Sequence, residues 1–392
     1  MNQMVGYLIR SNRVRQKMSQ EQLCKGICAV SYLSKIESGI AEPDEEIIRK
    51  LFEALSIVYM QDENTIREYR ELLFRYFDAY FHHESTVEME EKIYRNRKAL
   101  ENSELAIEYQ LFCIYNAGPD DKNVAERLLK TIERYRDYMS EDAAFLYYMA
   151  KGMYGKDRKE RDQAYARARQ IRDCSLVYEA LMYDAFYEGC YQEALNYCRI
   201  GYERAMQEGF LLVAQQISFL EGVCYGNLGN LSCMHQAYKR TRELSRGDQK
   251  IAASIDYNTA TAYIEQKHYE EAIPYLLSAL KQEEDRATAF FINHKLAMAY
   301  ERIGDTTVGS VYLEMADKLS EKLEPVHRDM VTMARLRYEK DYMESSEYER
   351  ILISFSQMQK SMGADFVRFY QPYLVEWLKA KRKYKEALRL VE

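Results

Sequence analysis

Residues 19–39, SQEQLCKGICAVSYLSKIESG, contain two short helix patterns separated by a tight turn. Ser19 is a favoured N-cap, and Gln22 three residues later completes a capping-box pattern that begins a helix over residues 20–26. Residues 27–28 form the predicted turn, residues 29–38 form the next helix, and Gly39 suits the position after its end. The stretch predicts a helix-turn-helix, the motif that places its second helix in the major groove of DNA.

The flanking residues support this motif. Apolar residues at helical spacing predict an amphipathic helix over residues 4–17, and Pro43 predicts the first position of a fourth helix with an apolar stripe from Ile47 to Leu55. Residues 1–40 hold six basic and two acidic side chains, a net charge of +4. Because the whole chain carries −7, the other 352 residues carry −11. A small basic head on an acidic body is the asymmetry expected when only the head meets phosphate.

The runs 9–13, 19–23 and 31–39 together resemble the XRE-type helix-turn-helix of phage repressors, over about residues 4–57. The resemblance implies that Arg13 and Glu37 tie the first helix to the third, and that Gln20 clamps a phosphate. It also implies DNA contact from the exposed face of the recognition helix, with Ser31, Tyr32 and Lys35 as the principal contacts. The full predicted DNA-binding set is Gln20, Val30, Ser31, Tyr32, Ser34, Lys35, Arg10 and Lys17.

This chain departs from the repressor pattern in its turn. The turn is one residue shorter than in many repressors, and Cys28 and Ala29 stand where serine or glycine is usual. The front of the recognition helix carries no Gln or Arg that could form a bidentate contact with adenine or guanine. The sequence therefore does not indicate which operator bases are read. The alternative interpretation is a small helical cap with no role on DNA.

The composition predicts an all-α, cytoplasmic protein. Only 5 prolines and 16 glycines occur in 392 residues, and both residue types break helices. No secretory signal or apolar run of membrane-spanning length is visible, and the eight cysteines form no CxxC pair, which favours reduced thiols. The metalloprotease, phosphate-loop and serine-hydrolase motifs are missing, so we expect no enzyme and no cofactor.

Beyond a linker helix after residue 57, related patterns recur every 37–40 residues, as in Gly222-x-x-Tyr225, Ala260-x-x-Tyr263 and Ala297-x-x-Tyr300. They are similar to tetratricopeptide repeats, which stack into a right-handed α-solenoid with a concave groove. The glycines at 222, 226 and 229 are interpreted as close-packing positions and not as a phosphate loop. His82-His83-Glu84 is interpreted as a solvated helix end, with a metal site as the weaker alternative.

The predicted organisation is a DNA-binding domain over residues 1–57, a linker region over 58–100 and a ligand-sensing, dimerising repeat domain over 101–392. This combination resembles the RRNPP quorum-sensing regulators of Firmicutes. The resemblance implies a homodimer on an inverted repeat, a short signalling peptide in the groove, and peptide control of the spacing between the two heads. A protein-interaction scaffold that docks another protein remains the alternative.

Repeat phase places the candidate groove residues on the first helix of each repeat. Asparagine amides pair with a peptide main chain whatever the peptide's sequence, so Asn227, Asn258 and Asn293 are of most interest. The predicted peptide-binding residues are Gln216, Phe219, Asn227, Tyr257, Asn258, Thr261, Asn293, His294, Met298 and Arg302.

Overall fold

A computed structural model describes residues 2–60, 62–117, 121–136, 139–283, 285–358, 362 and 364–390. Every regular element in these ranges is a helix, and none of the described residues lies in a strand. The chain divides into two compact units, Met1–Asp184 with Ile200–Val213, and Ala185–Arg199 with Ala214–Glu392. Within the described ranges, no helix is long and apolar enough to cross a lipid bilayer.

Four helices form the head: α1 (Asn2–Arg15), α2 (Gln20–Cys24), α3 (Val30–Glu37) and α4 (Glu45–Ala54). The predicted capping box is present, since the Ser19 side chain accepts from the Gln22 backbone N–H and the Gln22 side chain accepts from the Ser19 N–H. Pro43 is not the first residue of α4, because Asp44 is the N-cap and accepts from the Ile47 N–H at 2.8 Å. The head core is closed by buried leucines and isoleucines of all four helices.

The first unit continues through seven further helices: α5 (Glu63–Phe81), α6 (Val87–Arg95), α7 (Arg97–Leu100), α8 (Ala106–Tyr115), α9 (Lys122–Glu133), α10 (Glu141–Met153) and α11 (Arg158–Ile171). The linker helix α5 packs on α8 through aromatic edges, with Tyr76 4.7 Å from Phe112 and Phe77 5.6 Å from Tyr115 between ring centroids. Burial of these rings fixes α5 as part of the core of the unit.

The remaining helices are α12 (Ser175–Tyr187), α13 (Tyr191–Glu208), α14 (Leu211–Asn227), α15 (Leu231–Leu244), α16 (Gln249–Glu265), α17 (Tyr269–Leu280), α18 (Arg286–Arg302), α19 (Thr306–Ser320), α20 (Pro325–Arg337), α21 (Ser346–Ser356), α22 (Ala364–Ala380) and α23 (Tyr384–Arg389), with a 3-10 turn at Tyr342–Glu344. Short connections bring consecutive helices into contact, as in α16 with α17, α18 with α19, and α22 with α23. This succession of helix pairs is the repeat body predicted from the sequence.

Close packing between repeat helices explains the glycines of α14. A Cβ at position 222 would lie 2.3 Å from Cε1 of Tyr238, and one at 226 would lie 3.2 Å from the Cβ of Ala262. Gly229 follows the helix with a φ of +74°, a conformation that favours glycine. The packing interpretation is confirmed for Gly222 and Gly226, whereas Gly229 is explained by its positive φ at the helix end.

Candidate nucleic-acid interface and ligand groove

The recognition helix α3 buries one face and exposes the other. Leu33, Ile36 and Glu37 are buried against the head, where α1 comes so close that a Cβ on Gly6 would meet the Ile36 carbonyl oxygen at 1.9 Å. The outward-facing side chains are Val30, Ser31, Ser34 and Lys35. Four of the predicted DNA-contact residues therefore share one exposed helix face, and their role on DNA stays a prediction.

A charged network holds this helix in place. The Arg13 guanidinium donates to both Glu37 carboxylate oxygens at 2.6 and 2.8 Å and also to the Met18 carbonyl at 2.7 Å. The hydrogen bond to Glu37 raises the pKa of Arg13. The Gln20 side-chain amide donates to the same carboxylate at 2.8 Å, so Gln20 is also part of the network that positions α3. This geometry matches the structural tie that the resemblance implied for Arg13 and Glu37.

The remaining predicted DNA-contact residues outside this face are Tyr32, Arg10 and Lys17. Tyr32 is half-buried, and its hydroxyl donates to the Glu42 carbonyl at 3.1 Å in the loop after α3. Arg10 and Lys17 are exposed, and Lys17 has a φ of +58° where the chain leaves α1. Basic side chains at the start of the motif suit phosphate contact, because such contacts orient a protein on DNA without reading its sequence.

In the second unit, α22 lies against the helices that carry the predicted groove residues. The Arg368 guanidinium donates to the Asn227 side-chain carbonyl on α14, to Glu265 on α16 at 3.3 Å and to the Tyr191 hydroxyl at 3.1 Å. One side chain of α22 thus joins three separate helices. Sequence reasoning missed Arg368, because it lies outside the recurring patterns from which the groove residues were chosen.

Lys295 on α18 lies at the centre of a second cluster. Its side chain is buried, its Nζ donates to the Thr261 hydroxyl at 2.8 Å, and that Nζ lies 4.7 Å from the Tyr257 ring and 5.0 Å from the Phe369 ring. The structure therefore brings the predicted residues Tyr257 and Thr261 together around a lysine that the sequence analysis did not select.

Arg302 belongs to a third, ion-paired cluster. Its guanidinium donates to Glu376 of α22 at 2.8 Å and lies 4.7 Å from the Tyr373 ring. Arg337 donates to Glu301 and to the Tyr348 hydroxyl, both at 2.8 Å. Burial is the largest single influence and lowers the pKa of Arg302, but the hydrogen bond to Glu376 together with the charges of Tyr373 and Glu376 raises that pKa overall.

These clusters border a cavity of about 1000 Å³. Its lining is mixed, with amide, cationic, anionic and aromatic groups that include Asn227, Gln266, Arg302, Arg368, Tyr373 and Glu376. The Nε2 of Gln266 is buried and has no hydrogen-bond partner among the described residues. A cavity of this size with an unused donor is suited to a polar ligand that presents carbonyl groups.

Three of the predicted groove residues are buried and do not line an open surface. Met298 lies in the hydrophobic core with Phe290 and Val331, and Asn293 donates back to the Ala289 carbonyl of its own helix at 2.8 Å. Burial holds the pKa of His294 at about 3, and its Nε2 lies 3.4 Å from the Tyr370 hydroxyl. The expectation that these side chains face the groove is not met, because the periodicity of α18 does not show that α20 and α22 pack over them.

The other predicted groove residues are half-buried. Phe219 packs 5.9 Å from the Tyr238 ring, and Asn258 donates to the Ser254 carbonyl of its own helix at 2.8 Å. Gln216 is half-buried on α14. Of the ten predicted residues, Asn227 and Arg302 line the cavity of about 1000 Å³, and the peptide contacts themselves stay predictions.

The histidine pair ends α5 as predicted, and of the two histidines only His83 is exposed. His83 Nε2 lies 2.8 Å from a Glu179 carboxylate oxygen, and this hydrogen bond raises the pKa of His83. The His82 ring packs on Phe210 at 4.0 Å between centroids. Among the described residues, no group of three or more His, Cys, Asp or Glu side chains is arranged to hold a metal ion.

Comparison with known proteins agrees with this architecture. Residues 9–59 match the helix-turn-helix family. The chain is 24% identical over 393 residues to the transcriptional activator NprA of Geobacillus stearothermophilus, an alignment that covers 94% of this chain and 92% of the relative.

Solved structures share the fold at low sequence identity. The apo form of the quorum sensor NprR from B. thuringiensis superposes with a TM-score of 0.62 at 14% identity, over 83% of this chain and 97% of that one. A structure of NprR in complex with its cognate peptide NprX superposes with a TM-score of 0.52 at 14% identity, over 80% and 98%.

The head and the repeat body combine an XRE-type helix-turn-helix with a helical-repeat domain, and over nearly the whole chain the similarity is to a transcriptional activator. This similarity extends to RRNPP-type quorum-sensing regulators, in agreement with the resemblance drawn from the sequence.

Proposed function

We propose that the protein regulates transcription by binding DNA through α3 and a short peptide through the cavity of the repeat body. The DNA-binding domain is residues 1–57, the linker region is 58–100 and the sensing and dimerising domain is 101–392. A homodimer would place two heads on an inverted repeat. The peptide would change head spacing by contacting one arrangement better than the other, because a ligand shifts a population only by its differential affinity.

The exposed face of α3 carries the DNA part of this proposal. A polar and basic helix face, fixed by Arg13, Glu37 and Gln20, can enter a major groove without rearrangement of the head. The NprR structure with its cognate peptide has the same fold as this body, which supports a peptide as the ligand. The unused Gln266 donor would pair with a peptide carbonyl, and Asn227 and Arg302 would contribute polar contacts.

A mobility shift tests the DNA part. The probe is the intergenic DNA upstream of the protein's own gene, titrated with the purified full chain at several salt concentrations. The Tyr32→Ala/Lys35→Ala variant is expected to lose specific binding and stay folded, because Lys35 is exposed and the half-buried Tyr32 makes one hydrogen bond, to the loop after α3. The control is Lys239→Ala on α15, which removes an exposed lysine far along the chain. Wild-type operator affinity in the double variant would refute the assignment of α3.

The peptide part is tested with the same DNA and short synthetic peptides encoded beside the gene. We expect one peptide to change the mobility shift, and Gln266→Leu to raise the peptide concentration needed by about tenfold while operator affinity without peptide is unchanged. Lys239→Ala again serves as the control. If specific binding is indifferent to every peptide but a protein partner raises the melting temperature, the repeat body is a docking scaffold instead.

A further inference from the structure

The first unit holds a separate cavity of about 410 Å³ beside the linker helix. We propose that this cavity binds a small monovalent organic cation, an amine in its protonated form. Five phenylalanines line it: Phe74, Phe77, Phe81, Phe145 and Phe210. We call it the phenylalanine cavity. Its volume lies within the roughly 300–1,000 Å³ of small-molecule sites, and nothing in the proposed DNA or peptide binding uses it.

Aromatic walls favour a cation over a neutral or anionic ligand. The face of a phenyl ring carries negative potential, so a positive charge within about 6 Å of the ring centroid is attracted. The wall already accommodates one cation, since the Arg172 guanidinium lies 4.7 Å from the Phe145 ring centroid. Phe74 is 64% exposed, which leaves its ring accessible to an incoming ligand.

The charges that line the cavity are mostly negative. Four carboxylates, Asp78, Asp142, Asp173 and Glu208, stand against Arg172 as the one arginine or lysine in the lining. Arg172 is paired with Asp142, and Asp173 is paired with Arg204 just outside the lining, so Asp78 and Glu208 supply the excess negative charge. Glu208 accepts hydrogen bonds from the neutral donors of Ser175, from its backbone N–H at 3.1 Å and from its hydroxyl at 2.5 Å. An excess of carboxylate at an aromatic cavity attracts organic cations and repels anions.

His82 supplies a hydrogen-bond acceptor for the ligand. Its Nδ1 lies 3.4 Å from a carboxylate oxygen of Asp78, which accepts but cannot donate, so we assign the ring proton to Nδ1. The Nε2 is then an acceptor, and it is buried with no hydrogen-bond partner among the described residues. An N–H of a protonated amine would satisfy this atom, whereas a quaternary ammonium would not.

The test uses three probes with the same ring system: 9-aminoacridine, a cation at neutral pH, neutral acridine, and the acridine-9-carboxylate anion. Each is titrated into nucleic-acid-free full-length protein, without DNA or peptide, and binding is followed by probe fluorescence. We expect one saturable site for the cation, at least about tenfold weaker binding of the neutral ring, and none of the anion. Because DNA and peptide are absent, the result is independent of the proposed function.

Two variants place the site. Phe74→Ala and Asp78→Asn alter exposed side chains, so both are expected to fold, and each is expected to weaken 9-aminoacridine binding about five- to tenfold. The control is Tyr384→Ala on α23, which removes an aromatic ring that is 62% exposed elsewhere in the chain. Equal binding of all three probes, no saturable binding of the cation, or wild-type affinity in both variants would overturn the proposal.

Discussion

Replacing Arg13 should loosen the recognition helix without touching its DNA-facing side. The Arg13 and Glu37 side chains are only 13% and 4% exposed, and the pair is joined by two hydrogen bonds. Removing one member of a buried pair costs about 3–5 kcal/mol because the other charge is left unpaired. Glu37 would keep the Gln20 hydrogen bond, and Arg13 is not fully buried, so we expect about 2–3 kcal/mol for Arg13→Met.

Hydrogen exchange by mass spectrometry measures this loss in the full chain, since amides report the local opening free energy. A loss of about 2–3 kcal/mol corresponds to about 30- to 150-fold faster exchange of the protected amides of α3. Arg49→Ala is the matched control, because Arg49 and Glu53 form an exposed i,i+4 pair worth about 0.3–0.5 kcal/mol. It should accelerate exchange by only about twofold.

The double variant Arg13→Met/Glu37→Met separates charge burial from lost contacts. It leaves no carboxylate unpaired in the head, so α3 should exchange more slowly in it than in Arg13→Met alone. Equal exchange in Arg13→Met and Arg49→Ala would refute the reasoning, because it would mean that the Arg13–Glu37 pair behaves as a solvated surface pair.

Two further predictions concern the second unit, in which the single tryptophan, Trp377, is buried and serves as the fluorescence signal for urea unfolding of the full chain. Gly222→Ala forces a Cβ against the Tyr238 ring and should lower the free energy of unfolding by about 2–3 kcal/mol. Gly304→Ala, with open space around it and a φ of +85°, should lower it by about 1 kcal/mol. Equal losses would contradict the packing role of Gly222. The pKa of His294 in the folded protein is about 3, below its ordinary 6.5, so between these values the unfolded state binds one more proton than the folded state. The stabilisation from the neutral His294 is therefore complete above pH 6.5 and is lost as the pH falls toward 3. Between pH 7 and 5 the loss from this group is about 2 kcal/mol, and His294→Phe should unfold with a correspondingly flatter pH dependence; an unchanged slope would show that His294 is not held neutral.

The head was predictable from the sequence because its signals are local. Ser19 and Gln22 are three residues apart and specify a helix start by themselves, and Gly39 follows α3 with a φ of +72° as expected. Two local details were wrong: α2 ends at Cys24 and not at residue 26, and the neighbouring Asp44 is a better N-cap than Pro43 and takes that position.

The groove was harder to predict because its composition depends on distant chain segments. Periodicity gives the face of α18 on which His294 and Met298 lie, but the helices that cover that face come from elsewhere in the sequence. Arg368 reaches Asn227 from 141 residues away and Lys295 reaches Thr261 from 34 residues away, and neither pair leaves a short-range pattern. The groove residues were predicted only from residues 216–302, so α22 was not considered as a source of them.

The hydrogen bonds of Arg368 also affect the order in which the second unit can fold during synthesis. Tyr191 precedes its partner by 177 residues, so the earliest helix of this unit leaves the ribosome long before the arginine exists. Repeat arrays ordinarily grow from nearest-neighbour interfaces, one unit at a time. In this unit the hydrogen bonds of Arg368 form last and join the beginning of the unit to its end. The stability of the unit is therefore a cooperative property of the finished chain. A stop codon before residue 368 would therefore weaken helices that had been translated more than a hundred codons earlier.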